Sequence, residues 1–409
     1  MFIVGSILAG LSWNLTSMII FRVIQAIAGS ADYPTAMAIL SVTFTDAKKR
    51  AQALGIWSSA FAASAVFGPL LGGPLIDNFG WRSVFLVNLP VGLIGLAMAL
   101  LFIKESVSGR KNVKFDWWGS ITLGGALASL VLVLDKGTDW GWLSTNSLLT
   151  YGAVLLFAVV FAWIERKVAE PIIDFKFFKI PSFVYTLLNN FFVFMCMMGS
   201  VFLLPVFAQT FLGYSATESG FIFIPMGLAI PIGAAIGGKF AYKFQPRYVI
   251  FVSTAFATIG FFLLSGIDPR STVVDLMIPL GIMAFFMGLG MAQRTNIIAS
   301  VVPQTEIGIA SGILALVRNI GGAFGISVFA TLLKNFVENN VLTISGWSSI
   351  HSVVPYVRQE FIGLIELKAQ TDAYGEVFLI CACVMLAASF LSFFIKVRHQ
   401  AHNVTVHVE

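Results

Sequence analysis

The chain has 409 residues, of which 58% are apolar, 14% aromatic and only 11% charged. A soluble globular domain runs about 45 to 50% apolar and about 25% charged, so this chain cannot hide its apolar surface from water and a soluble fold is excluded. The net charge of +5 would suggest nucleic acid in a soluble protein. Here the basic residues stand in short loops between apolar runs, where they report topology, and no nucleic-acid partner is expected.

Twelve apolar runs follow one another, at 1–13, 17–44, 52–77, 83–103, 117–134, 148–164, 183–211, 217–240, 248–267, 273–299, 308–333 and 375–395. A spanning helix needs about 20 residues, and no run alternates as a barrel strand would. The expectation is an all-α polytopic protein lying in the lipid bilayer. The first run, from Phe2 to near Trp13, gives about 20 Å of helix against about 30 Å of hydrocarbon. It has no charged leader, so the chain is expected to start inside a span.

In the second run Arg22 lies at membrane depth, where a charge must face protein interior or a wet cavity. Gln25 at i+3 and Gly29 at i+7 share its face. Pairing with carbonyls of a neighbouring helix is one reading of Arg22, and a role in coupling or substrate passage is the other. Asp32 is ten residues further, about 15 Å along the helix and about 80° round, too far to pair with Arg22 directly. In an apolar setting its carboxyl would bind and release a proton near neutral pH. In a loop-side vestibule, among Ser30, Tyr33 and Thr35, it would stay ionised.

The third run contains AVFGPLLGGPLI. Gly68 and Gly72 share one face and Gly73 widens it, so a neighbouring helix can approach closely. Pro69 removes a backbone donor and bends the helix, and Pro74 sits where the straight helix should end. A kinked, closely packed helix of this kind suits a gate between two bundles. In the second half, Arg294 with Gln293, Thr295 and Asn296 forms a polar patch inside a span, and Arg318 precedes Gly321, Gly322 and Gly325. Buried pairing and cavity lining are both open for Arg294, Asn296 and Arg318. Glu218 and Glu306, near span ends, read as solvated loop carboxylates.

Alternate loops carry sixteen Lys and Arg on one side and six on the other, which places the first set, and the C-terminal tail, in the cytoplasm. The loop at 334–373 is then external, and Val353–Lys368 has the pattern of an amphipathic helix. Self-comparison supports two equivalent halves. A shift of 257 pairs Gly55-Ile56 with Gly312-Ile313 and Phe67-Gly68 with Phe324-Gly325, and a shift of 259 pairs Ser41-Val42 with Ser300-Val301. Six spans fill 183–395 but only four precede the central pair at 117–164. The expected organisation is therefore four remaining spans of an N-terminal bundle over 1–103, a cytoplasmic linker with two extra spans over 104–182, and a six-span C-terminal bundle over 183–409. Two leading spans are expected to be missing from this copy.

Cys196, Cys381 and Cys383 all fall inside apolar runs and read as small apolar filler. The four histidines lie in the external loop and the tail, away from any membrane metal site. No Walker lysine loop is present, which removes ATP-driven pumping. No cofactor and no catalytic constellation is visible, so an enzyme is not expected.

Against this background the motifs resemble the major facilitator superfamily, specifically its fourteen-span drug:proton antiporter branch of EmrB/QacA type. FRVIQAIAGSADYPTAMAIL resembles that branch's motif B, with Arg22 and Gln25 in place and Ala26 where glycine is usual. AVFGPLLGGPLI resembles the antiporter motif C through Gly68, Pro69, Gly72 and Gly73. WRSVFLVNLPVG (Trp81, Arg82, Asn88, Pro90), LGYSATESGFIFIPMG (Gly213, Tyr214, Gly220, Pro225) and the string around Arg318 add to it. GGKFAYKFQPR resembles a second-half motif A with Tyr242 in place of its aspartate. The family's first two spans, with their motif A loop and acidic residue, have no counterpart here.

The resemblance implies two six-helix bundles plus two central helices, and a carrier exporting lipophilic or cationic small molecules in exchange for protons across the cytoplasmic membrane. It implies coupling or substrate roles for Arg22, Gln25, Asp32 and Arg318, a gate at the GPxxGG helix, and Arg294 and Asn296 as candidate cavity lining. A periplasmic adaptor, meeting the loop at 334–373, is a partner the sequence leaves open. The rival expectations are an exporter of one metabolite or antibiotic in the same fold, and an inactive truncated remnant.

Overall fold

The computed structural model describes residues 1–30, 35–36, 39, 43–44, 64, 68, 70–103, 116–168, 171–240, 244–303, 306–347 and 355–395. Among these every regular element is helical. The chain folds as two compact units, one of Met1–Val113 with Pro205–Pro231 and one of Lys114–Leu204 with Ile232–Glu409.

In the first unit, α1 (Phe2–Gly10) packs along α2 (Leu15–Gly29). The turn between them is fixed by a reciprocal cap: Asn14 Oδ1 accepts from the Ser17 amide at 2.7 Å and Ser17 Oγ accepts from the Asn14 amide at 3.2 Å, which satisfies two orphan donors of the helix start. Close approach needs a glycine here, because a Cβ on Gly5 would sit 2.7 Å from Gln25 Cα. Helix α3 (residues 70–79) runs through Pro74, although the sequence suggested an end there. The Pro74 carbonyl, whose i+4 partner Asn78 returns a side-chain amide to it at 2.8 Å, is fully used. Gly80, at φ 77°, then turns the chain into α4 (Ser83–Leu86) and α5 (Asn88–Phe102), a conformation only glycine adopts without strain.

The second unit begins with the hairpin of α6 (Trp117–Trp140) and α7 (Thr145–Glu165), capped by Asp116 and Ser144 side chains. Helix α8 (Pro181–Phe211) crosses from the second unit into the first at Pro205, and α9 (Ala216–Phe221) with α10 (Ile224–Phe240) returns at Pro231. The remaining helices are α11 (Pro246–Leu264), α12 (Val273–Val301), α13 (Ile307–Trp347) and α14 (Pro355–Phe390). Their cores include a cluster of Phe177, Phe183, Leu187, Ile298, Val302, Ala310 and Ile313.

Glycines set the tightest crossings of this unit. Gly233 and Gly237, four apart on α10, leave no room for a Cβ against the Phe285 and Leu289 carbonyls of α12, and Gly325 on α13 leaves none against the Met195 carbonyl of α8. Small residues at i and i+4 let helix backbones meet in this way in a lipid environment, where packing replaces the hydrophobic drive. Outward faces are apolar instead of polar: Leu101 is 78% exposed and Leu155 is 67% exposed. In water such faces would drive aggregation, and they are what a hydrocarbon solvent requires.

Among the described residues nine helical stretches are long and apolar enough to cross a membrane, and they coincide with nine of the twelve apolar runs. Of the other three runs, the first forms the nine-residue α1, the second enters as α2, and most of the third lies outside the described residues. The segment 334–373 is not an irregular loop. Helices α13 and α14 extend into it from either end, and α14 takes in most of Val353–Lys368, the stretch with the amphipathic pattern; 348–354 lie outside the described residues.

Candidate transport site

Four contacts tie segments that the Lys and Arg count assigns to the same side. On the external side, α3 meets the start of α9, and α6 meets α13 through Thr331 Oγ1 donating to the Leu134 carbonyl at 2.8 Å and through a Lys334–Asp139 ion pair. On the cytoplasmic side, Lys176 donates to Glu306 at 2.7 Å. Burial opposes ionisation of Asp174, but hydrogen bonds from Lys176 hold its carboxyl below the ordinary range, and bonds to Asp174 and Glu306 hold the Lys176 ammonium above its own.

Arg22 and Gln25 meet as their spacing predicts. Arg22 Nη1 donates to Gln25 Oε1 at 2.7 Å, and the guanidinium lies 5.6 Å from the centre of the Phe85 ring. Gln25 is buried under Gly5, whereas Arg22 is exposed. The result is a buried amide that fixes the position of an exposed guanidinium. At Gly29, on the same face, the Phe2 ring lies at an ordinary distance of 3.4 Å from where a Cβ would stand. Beside this pair, Asn88 donates to Ser6 Oγ at 2.9 Å, and Ser6 in turn donates to the Phe85 carbonyl at 2.8 Å. Arg82 stacks 4.4 Å from the Trp81 ring centre and donates to the Ser12 carbonyl at 3.0 Å. The WRSVFLVN string therefore holds the polar end of α5 against α1.

In the GPxxGG string the described residues behave differently from one another. Gly68 and Gly72 have no described atom within 4 Å of where a Cβ would stand, but on Gly73 a Cβ would sit 2.5 Å from Thr217 Cα. One turn on, Asp77 accepts from the Thr217 amide at 2.9 Å, the Thr217 hydroxyl at 2.5 Å and the Ala216 amide at 3.3 Å. Sequence reasoning missed Asp77, since a lone acidic residue at a span end reads as solvated. Its position at i+4 from Gly73 was the available signal. Glu218 is also more than a loop carboxylate: it accepts from the Ser215 amide at 2.9 Å as half of a capping box.

The polar patch of the second unit is a buried cage. Arg294 is 1% exposed; its Nε donates to Asn189 Oδ1 at 2.8 Å and its Nη2 to Thr254 Oγ1 at 3.3 Å. Asn189 passes the connection on to the Ala388 carbonyl at 2.8 Å, so one side chain on α12 links α8, α11 and α14. Gln293, also buried, donates to the Gly237 carbonyl at 2.7 Å. Asn296 points away from this cage and is exposed. Arg318 lies 5.5 Å from the Phe194 ring centre. Asn189 and Thr254 were not legible as partners, because nothing in sequence links positions 105 and 40 residues away.

Asp32, Pro69 and Tyr242 lie outside the described residues. The three cysteines are unoxidised, with Cys196 and Cys381 buried against each other. Among the described residues no group of three metal-ligating side chains gathers.

The family model of the Major Facilitator Superfamily matches residues 1–326. The chain belongs to that superfamily. The multidrug transporter protein MdtP of Bacillus subtilis is 32% identical over 378 residues, covering 91% of this chain and 66% of MdtP. The tetracenomycin C resistance and export protein of Streptomyces glaucescens is 30% identical over 344 residues, covering 82% and 62%. The chain thus spans just under two thirds of the length of these relatives. Among solved structures, a bacterial homologue of the human lysosomal transporter Spinster, in an inward-facing and occupied conformation, matches with a TM-score of 0.60 at 18% identity, over 96% of this chain and 80% of that one. The fold is accordingly a major facilitator fold, and the chain is a multi-pass protein of the cell membrane, of a transporter family and not an enzyme.

Proposed function

We propose that the intact protein exports drugs or toxic lipophilic compounds across the cytoplasmic membrane, exchanging them for protons by alternating access of two helical bundles. The first bundle contains residues 1–103, the second 183–409, and the pair at 104–182 joins them. The observation that carries the reading is the exposed Arg22, held by the buried Gln25 in an otherwise apolar helix, in a chain whose relatives are named as multidrug transporters. A fixed cation at membrane depth is a site at which proton and substrate can compete. Asp32 is the proton carrier and Arg318 the second-half counterpart of Arg22; Gly68, Pro69, Gly72 and Gly73 form the gate helix. Of the two candidate lining residues, the exposed Asn296 is the one left to border the cavity, since Arg294 is paired inside its cage.

The test is proton release from inverted vesicles holding an imposed pH gradient, on adding lipophilic cations. Dye-induced collapse that disappears in Arg22→Ala at equal expression is the expected result. Unchanged efflux in that variant removes Arg22 from coupling, and silence towards every cation in the folded wild type removes the multidrug reading. The name of the Streptomyces relative, which specifies one antibiotic, favours a second reading, an exporter of a single compound. A resistance profile confined to one compound selects it.

A further inference from the structure

Two strings far apart in sequence meet at one point: the end of the GPxxGG helix and the start of the SATESG helix. The helix beginning at Ala216 has a complete set of partners for its first amides. Ser215 N–H is taken by Glu218 at 2.9 Å, and Glu218 N–H by Ser215 Oγ at 3.2 Å. That box leaves the amides of Ala216 and Thr217 without local acceptors. Both are taken by Asp77, from 139 and 140 residues away in sequence, and the Thr217 hydroxyl joins them.

We infer that Asp77 is the positioning residue of an external latch, which keeps the outer ends of these two helices together until the carrier opens outward. Gly73 and Gly80 make the latch possible: the first lets the backbones touch, and the second, at φ 77°, ends the helix just past Asp77. Gly213, at φ 67°, makes the matching turn before Ser215. Both segments are on the side the basic-residue count makes external. All three bonds are exposed, so water replaces them when they break. Their net value is that of a reversible clasp, and not of a buried network whose opening would strand unpaired groups.

The inference rests on the alternating-access reading, and its test separates the two. Spin labels are placed at Phe79 and Tyr214, with the exposed native thiol Cys383 changed to serine, and the distance distribution is measured in nanodiscs alongside transport. The expected result is one short distance in wild type. Asp77→Ala raises a longer population about tenfold or more, the equivalent of one charge-assisted bond. Thr217→Ala should give an intermediate rise, and Thr217→Ser, which keeps the hydroxyl, should restore the wild-type distribution. An unchanged distribution in both folded variants overturns the latch whatever transport does. If Asp77→Ala fails to fold, the Thr217 pair decides alone. A shifted distribution in a protein that moves no substrate leaves the latch standing and removes the export reading.

Discussion

The Arg294 cage and the Asp77 latch are both polar clusters joining distant helices, and they differ in what would happen if they opened. Arg294 is sealed among three helices, so breaking its bond to Asn189 leaves a desolvated charge without its partner. Asp77 and Thr217 meet in the open, where water stands ready as a substitute. The glycines divide the same way. A Cβ on Gly325 would run into the Met195 carbonyl, whereas no described atom lies within 4 Å of where a Cβ on its repeat equivalent Gly68 would stand. Along the α3 string the close contact is confined to Gly73, against Thr217, whereas on α13 Gly321 and Gly325 both close onto backbone carbonyls of α8.

The largest effect should come from breaking the contact of α13 with α8. Gly325→Leu forces a side chain into a backbone carbonyl and should leave little folded protein, as followed by fluorescence-detected size exclusion; a loss of about 3 kcal/mol or more is the scale for overpacking without relief. Gly68→Leu should fold at wild-type yield and still stop turnover, and equal folding defects in the two would erase the contrast. Next comes the cage. Asn189→Ala should lower stability by about 3 kcal/mol, the penalty for leaving a buried charge short of a partner. Loss of transport with no change in melting would instead make Arg294 a working residue of the cavity.

Smaller still is the tie between the extra hairpin and α13. Thr331→Val removes one neutral hydrogen bond to the Leu134 carbonyl and should lower the melting free energy by about 1 kcal/mol without altering efflux. Efflux lost at normal stability would place the hairpin in the cycle itself.

Most of the fold was legible because lipid imposes a simple pattern: apolar runs of spanning length, punctuated by glycine, proline and basic loops. The Arg22–Gln25 bond followed from helical spacing alone. What stayed hidden were contacts set by three-dimensional approach. Asp77 looked solvated and Asn189 looked like one polar residue in a phenylalanine-rich helix. Each acquires its role only when a second helix supplies the partner. Pro74 misled in the other direction, since the helix that contains it continues to residue 79. Within 334–373 the amphipathic pattern of Val353–Lys368 was legible and most of it is helical, whereas the extension of the preceding helix to Trp347, through charged and polar residues, was not.

The exposed end of the comparison can be probed by pH at the Asp174–Lys176–Glu306 cluster. Lys176 binds Asp174 at 2.9 Å and Glu306 at 2.7 Å. Asp174 has its pKa lowered on folding from 3.8, so its contribution is present above that value and lost as pH falls through the folded one. Lys176 has its pKa raised from 10.5, so its contribution is complete below that value and lost as pH rises through the folded one. The stabilising window is therefore the whole neutral range. Lys176→Met should melt slightly below wild type at pH 7, and the gap should narrow as pH falls below 3.8 and shrink in molar salt, which screens exposed pairs. A gap that does not narrow in acid would mean that Lys176 acts apart from its carboxylate partners, through its ammonium 5.3 Å from the Phe177 ring centre.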